Sequence, residues 1–194
     1  MQLLEEMVRN KGEVFSGNII KVDSFINHQI DPNLMKEISE SFYEHFKGRD
    51  VTKILTIEAS GIAPALFVAN KFKVPMLFAK KAQPSTLKSG NIYSSEVFSY
   101  TKNVTNTIVV SKNFLNEGDN VLIIDDFLAN GQAISGLVDI ANQANANVVG
   151  VGILIEKSFQ VGRSLLKKKG IDVCSLCRIA SIKDGSIDFE KSDK

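Results

Sequence analysis

Val121 to Ala133 reads V-L-I-I-D-D-F-L-A-N-G-Q-A. Four apolar residues carry two adjacent carboxylates, Asp125 and Asp126, to what the pattern makes the end of a strand. A short stretch with Ala129, Asn130 and Gly131 then opens a helix at Gln132 and Ala133. Backbone N–H groups at such a helix start lack partners and stand at the positive end of the helix dipole, so they bind phosphate. Two acids beside a phosphate pocket suit a sugar phosphate, the carboxylates accepting from ribose hydroxyls while the loop holds the phosphate. Residue types and spacing leave a blander reading open, a strand with a polar cap and an ordinary turn. Acid pairs after strands also bind magnesium in receiver domains, a third reading.

Other residues invite similar double readings. Glu58-Ala-Ser-Gly61 lies between an apolar strand and a helix, where Ser60 suits a helix N-cap. Lys80 and Lys81 stand at the mouth of a polar loop running to Asn91, either solvated or facing an anion. Lys157 follows an apolar strand, which puts its ammonium at a sheet edge rather than on a solvated helix face. Phe159 is close by in sequence. Ile20 reads as core and Asn27 as a turn residue. His28 and His45 carry no signal. Gly150-x-Gly152 lies within a strand with no helix after it, so it is not a dinucleotide loop.

These residues need a scaffold, and the periodicity supplies one. Asp31 caps a helix to about Phe46, with Pro32 in the first turn and Leu34, Ile38, Phe42 and Phe46 on one stripe. Strands are predicted at 53–58, 75–79, 120–125, 148–155, 173–179 and 187–189. Helices are predicted at about 61–72, 132–143 and 161–169. Tyr93 to Thr101 and Asn106 to Val110 read as a hairpin. Strand and helix alternate through the middle of the chain, which implies an α/β fold with right-handed crossovers and a parallel sheet. Such sheets bind ligands at the carboxyl ends of their strands, where Glu58, Lys80-Lys81, Asp125-Asp126 and Glu156-Lys157 are expected.

The composition narrows the function classes. The 194 residues are 44% apolar and 23% charged, as in an ordinary globular protein of one domain. Lys and Arg number 23 against 22 Asp and Glu, a formal charge of +1. No broad basic face for nucleic acid is expected, so any bound anion is held by local groups. Cys174 and Cys177 form a lone C-x-x-C on a strand without histidines at ligand spacing, which reads as two reduced thiols, with a redox pair as the alternative, rather than a zinc site. No apolar run approaches the ~20 residues that span a bilayer. The N-terminal Leu3, Leu4, Met7 and Val8 alternate with charges as an amphipathic helix, not a leader. A cytoplasmic protein is expected, with neither membrane nor nucleic acid as partner.

The segment Val121 to Ala133 resembles the phosphoribosyl pyrophosphate signature of the type I phosphoribosyltransferases. Asn130-Gly131-Gln132 replaces the commoner Thr-Gly-Gly or Thr-Gly-Lys, which keeps the backbone cradle but removes a hydroxyl donor. This loop variant is similar to that of bacterial members acting on xanthine. So are Lys21 to Pro32, Glu58 to Pro64, and Ile155 to Arg163, where Val161 stands for the usual proline. The resemblance implies the type I fold, a central parallel sheet flanked by helices. A small hood is implied mainly from residues 1–30 and the C-terminal strands. It implies transfer of the phosphoribosyl group to N9 of an oxopurine, xanthine in particular, with Asp125 and Asp126 as the catalytic acids. Ala129, Asn130, Gly131, Gln132 and Ala133 would bind the donor, and Ser60, Gly61 and Lys81 its pyrophosphate. Ile20, Asn27, Lys157 and Phe159 would contact the base. Magnesium carried by the pyrophosphate and a homodimer are implied as well. Two alternatives are a guanine/hypoxanthine enzyme and a regulator that senses the donor without chemistry, the latter generally with an added DNA-binding domain.

Overall fold

The chain starts with α1 (Gln2–Lys11), which buries Leu4 and Val8 and leaves its charged residues outside. Strands β1 (Glu13–Phe15) and β2 (Ile19–Lys21) form a small antiparallel sheet, followed by a π-helical turn at Asp23–Asn27. Helix α2 (Pro32–Phe46) begins as its sequence demands, with the Asp31 carboxylate accepting from the N–H groups of Asn33 and Leu34. After it come β3 (Lys53–Ile57), α3 (Ile62–Phe72), β4 (Met76–Ala79) and the hairpin β5 (Ile92–Ser99) and β6 (Val104–Ser111). The remainder is β7 (Asn120–Leu128), α4 (Gln132–Gln143), β8 (Asn147–Lys157), α5 (Gly162–Lys168), β9 (Val173–Lys183) and β10 (Ser186–Phe189). This is a computed structural model, and it describes residues 1–81, 90–99, 104–183 and 185–190. The greater part of the expected polar loop, 82–89, and Tyr100 and Thr101 of the expected hairpin lie outside the described residues.

Six strands form one sheet in the order β10-β9-β8-β7-β3-β4. Five are parallel, as the βα alternation requires, and β10 folds back antiparallel on β9 at one edge. The sheet is therefore mixed rather than wholly parallel, because the short turn from β9 into β10 reverses the chain. One apolar cluster lies beneath α2 and α3 and takes in α1 and the π-helical turn through Leu4, Val8, Phe25 and Ile26. A second lies beneath α4 and the hairpin. Among the described residues no helix is long and apolar enough to cross a membrane.

Several strands run further than the apolar pattern predicts, β9 as far as Lys183, and two of these extensions bear on the acid pair. β7 continues through Asp125 and Asp126 to Leu128, and β8 continues through Glu156 to Lys157. Leu128 and Glu156 are register partners, so each extension supplies the hydrogen-bond partner of the other. The acid pair thus lies inside the strand, with Phe127 and Leu128 still to follow, and not at the end.

The stripe on α2 packs against glycines of β8. A Cβ on Gly150 would lie 2.4 Å from a Phe46 ring carbon, and one on Gly152 would lie 2.9 Å from the Phe42 ring and 2.6 Å from Ile124. The Gly-x-Gly spacing therefore makes room for two aromatic rings. Gly150→Ala and Gly152→Ala should each lower stability by roughly 1–3 kcal/mol through overpacking. Urea unfolding measures this, and unchanged midpoints would contradict the packing described.

Candidate functional site

The carboxyl end of the sheet holds an open cavity of about 330 Å³. Asp125 and Asp126 line it from β7, Ala129 to Ala133 from the turn into α4, Ser60 and Glu58 from the turn after β3, and Lys81 from the segment after β4. The hairpin closes one side with Val97, Phe98, Asn106 and Ile108, a wall that the sequence did not reveal.

The acids are nearly inaccessible, 4% exposed for Asp125 and 8% for Asp126. The Asp126 N–H donates to Asp125 Oδ1 at 3.0 Å. Burial, followed by the neighbouring Asp126 charge, pushes the Asp125 carboxyl well above the usual carboxylate range, while the Lys81 charge works against this. Such a perturbed acid facing a cleft is a feature of working sites.

Gly131 stands at the N-cap of α4 with φ +78, a conformation that favours glycine, and no side chain caps the helix. The first N–H groups of α4 are thus left for another partner beside the acids. The loop approaches the start of α5 very closely. Gly162 N–H donates to the Ala129 carbonyl at 3.0 Å, and a Cβ on Gly162 would lie 2.4 Å from that oxygen. Nothing in the sequence pattern singled out Gly162, because its partner lies over 30 residues away. Val161 has φ −79, within reach of a proline ring, so the backbone there accepts either residue.

On the other side, the peptide Glu58–Ala59 is cis, and the Glu58 carboxylate accepts from Lys81 N–H at 2.7 Å. Ser60 does not cap α3 as its position suggested. Gly61 holds the N-cap position and no side chain caps the helix, so the Ser60 side chain borders the cavity instead. Gly61 is set by crowding: a Cβ there would be 2.2 Å from Thr56 Oγ1 and 2.9 Å from Asp125 Oδ1.

The residues assigned to the base do not line this cavity. Lys157 ends β8, half-buried, with its Nζ 5.7 Å from the centroid of the Phe127 ring, and Phe127 does line the cavity. Burial lowers the Lys157 ammonium below its ordinary value. Its Nζ donates to the backbone carbonyl of Asn18, in the turn between β1 and β2, at 2.8 Å. Ile20 follows on β2, buried in the first cluster. Asn27 ends the π-helical turn on the surface, and Phe159 is 40% exposed. Phe127 rather than Phe159 is therefore the aromatic ring that connects Lys157 to the cavity, and its place directly after the acid pair was the available signal.

Cys174 and Cys177 are free and both pack against the first cluster. Burial raises their thiols to about 11 and about 12, so both are protonated at neutral pH. His45 is bound to Asp172 on the surface, away from the cavity.

Residues 27–190 match the family model of the phosphoribosyl transferase domain. The chain is 56% identical over 187 residues to the xanthine phosphoribosyltransferase of Macrococcus caseolyticus (strain JCSC5402), covering 96% of each protein. It has the same 56% identity to the xanthine phosphoribosyltransferase of Staphylococcus aureus (strain JH9), over 96% of this chain and 97% of that one. The adenine phosphoribosyltransferase structure from Rhodothermus marinus DSM 4252 superposes with a TM-score of 0.75 at 20% identity, covering 92% of this chain and 100% of that one, which shows a shared fold. An acid pair on a sheet strand, a glycine-started helix beside it and a family match over most of the length converge: the chain belongs to the type I phosphoribosyltransferases.

Proposed function

We propose that this protein transfers the 5-phosphoribosyl group from phosphoribosyl pyrophosphate to N9 of xanthine, giving xanthosine 5′-monophosphate and pyrophosphate. The observation that carries the reading is the buried acid pair opening on the same cavity as the uncapped start of α4. The xanthine phosphoribosyltransferases to which the chain is 56% identical support the choice of base. The reading includes a cytoplasmic homodimer that salvages purines.

In this reaction the bond from ribose C1 to pyrophosphate breaks early and leaves positive charge at C1, which N9 then attacks from the opposite face. Asp125 and Asp126 accept from the ribose hydroxyls and stabilise that charge from a site already ordered and largely dry. The backbone N–H groups of Gly131 to Ala133 bind the 5′-phosphate. Ser60, Gly61 and Lys81 face the pyrophosphate. Lys157 donates to the purine C6 oxygen, whereas the amino group that adenine places there would meet a donor with a donor.

The residues also fit magnesium. Asp125 and Asp126 are too few to form a protein cage, and they suit an ion held chiefly by substrate phosphates and water. Bound there, it would neutralise charge on the departing pyrophosphate. The two carboxylates and the donor's own oxygens would hold it.

If backbone amides bind the phosphate, Asn130→Ala should change the Michaelis constant for phosphoribosyl pyrophosphate by less than about threefold. Gly131→Val, forced out of its left-handed backbone and towards Gly162, should raise it by at least ~10-fold. Steady-state kinetics on both variants decides, and equal effects would contradict the cradle.

Base choice should depend on Lys157 and Asn27. Lys157→Met should lower turnover on xanthine, guanine and hypoxanthine alike, since all three carry the C6 oxygen. Xanthine differs from guanine at C2, an acceptor oxygen in place of a donating amino group, and a mismatched buried donor costs ~1–3 kcal/mol. With Asn27 as the donor to that oxygen, Asn27→Asp should shift preference from xanthine towards guanine. A competition assay with xanthine, guanine, hypoxanthine and adenine tests both expectations. Good use of adenine by the parent, or an unchanged xanthine-to-guanine ratio in Asn27→Asp, would overturn the assignment.

A further inference from the structure

Glu156 sits in the middle of a dense polar cluster that the reaction does not use directly. Its side chain is 1% exposed. Arg163 Nε donates to both carboxylate oxygens, at 2.8 Å each, and Arg163 Nη2 lies 2.8 Å from Oε2. The same Nη2 donates to Ser175 Oγ at 3.1 Å, Ser158 Oγ donates to Glu156 Oε1 at 3.3 Å, and Arg178 Nε stands 3.5 Å from Oε1. Burial by itself would raise the carboxyl, but the hydrogen bonds from Arg163 and Ser175 and the charges of Arg163 and Arg178 outweigh it and hold it below its ordinary range. The pair is thus ionised at neutral pH.

A buried ion pair is a weak source of stability, since desolvation offsets most of the attraction and apolar residues of the same volume serve as well. What it does supply is fixed geometry, because a bidentate guanidinium accepts one orientation. The location of this pair gives that geometry a use. Glu156 is the register partner of Leu128, the residue just before Ala129, and Lys157 follows it directly. Arg163 follows Gly162, whose N–H holds the Ala129 carbonyl and whose missing side chain brings α5 against the loop. Neither Glu156 nor Arg163 lines the cavity.

We propose that the Glu156–Arg163 pair is a positioning device that fixes the start of α5, and through Gly162 the Ala129–Ala133 loop, relative to Lys157. The donor phosphate and the base are thereby held at one set distance. This rests on the reading of that loop as the 5′-phosphate site and of Lys157 as the base contact. Positioning residues far from the chemistry affect rate through small misplacements of this kind.

The test compares the parent with Arg163→Met and Arg163→Lys, the lysine keeping the charge but not the two-pronged contact. Calorimetric titration with phosphoribosyl pyrophosphate is combined with kinetics on both substrates and thermal melting. In Arg163→Met the Michaelis constants for both the donor and xanthine should rise by at least ~10-fold, with donor binding weakened in parallel, and turnover at saturation should fall as well because the two substrates are no longer held at that distance. Arg163→Lys should lie between Met and the parent. Were the pair merely structural, melting would fall while both constants held, and that result overturns the proposal. If Arg163→Met does not fold, Arg163→Lys and Glu156→Asp carry the same test, and parental constants in both overturn it as well. A parent that fails to bind the donor refutes the loop reading itself. A binding parent with unaltered variants refutes only the positioning role.

Discussion

Two carboxylates buried side by side on a central strand impose the constraint around which the rest of this molecule is arranged. Removing charge from water is unfavourable unless an opposite charge or hydrogen bonds compensate. Among the described residues no lysine or arginine forms an ion pair with Asp125 or Asp126, and burial raises the Asp125 carboxyl. The surrounding chain comes as close as side chains permit. Gly61 touches Thr56 and Asp125, Gly131 turns left-handed to start α4, and Gly162 presses on Ala129. At each of these glycines a side chain would strike a neighbouring residue, which is why the backbone can come so close. The cavity at the end of the sheet results from that crowding.

In the proposed reaction the same sheet would set the spacing of the second substrate. β7 carries the acids and Phe127, β8 carries Lys157, and the two strands stay paired as far as Leu128 and Glu156. Lys157 reaches across to the Asn18 carbonyl, which ties the small β1–β2 sheet to the sheet's carboxyl edge through a residue 139 positions away. In the proposed reaction a base bound by Lys157 would take the place of that carbonyl. The donor already at Lys157 in this conformation is thus pointed at an oxygen acceptor, which suits an oxopurine.

Much of this was legible in the residues, and the reasons are local. Asp31 and Pro32 announce α2, and its apolar stripe is the face it buries. Gln132–Gln143 has the predicted limits because Gly131 starts the helix and its period is clear. The strand ends differ from the pattern because a polar residue inside a strand gives no apolar signal; pairing of β7 with β8, and of β8 with β9, keeps these ends extended. The roles of Gly162, Asn18 and Arg163 were hidden for the same reason. They act through contacts between segments remote in sequence, and neither spacing nor composition records such contacts. Ser60 misled because its type suits a cap that Gly61 takes. The acids and the loop line one cavity, where their type and position had put them, whereas Lys157 does not line it.

If the acid pair is held in place for chemistry against the preference of the fold, relieving its charge should stabilise the protein while disabling it. Asp125 is raised in the folded state, so its destabilising effect is absent when pH lies below the unfolded carboxylate range and is complete once pH exceeds the raised value. The decisive measurement is Asp125→Asn followed by thermal melting at about pH 8 and about pH 4, with turnover measured at pH 8. Melting should rise above the parent at the higher pH, the difference should shrink at the lower, and turnover should fall by at least ~10²-fold. A variant that melts below the parent at pH 8, or that turns over within about threefold of it, would contradict the account.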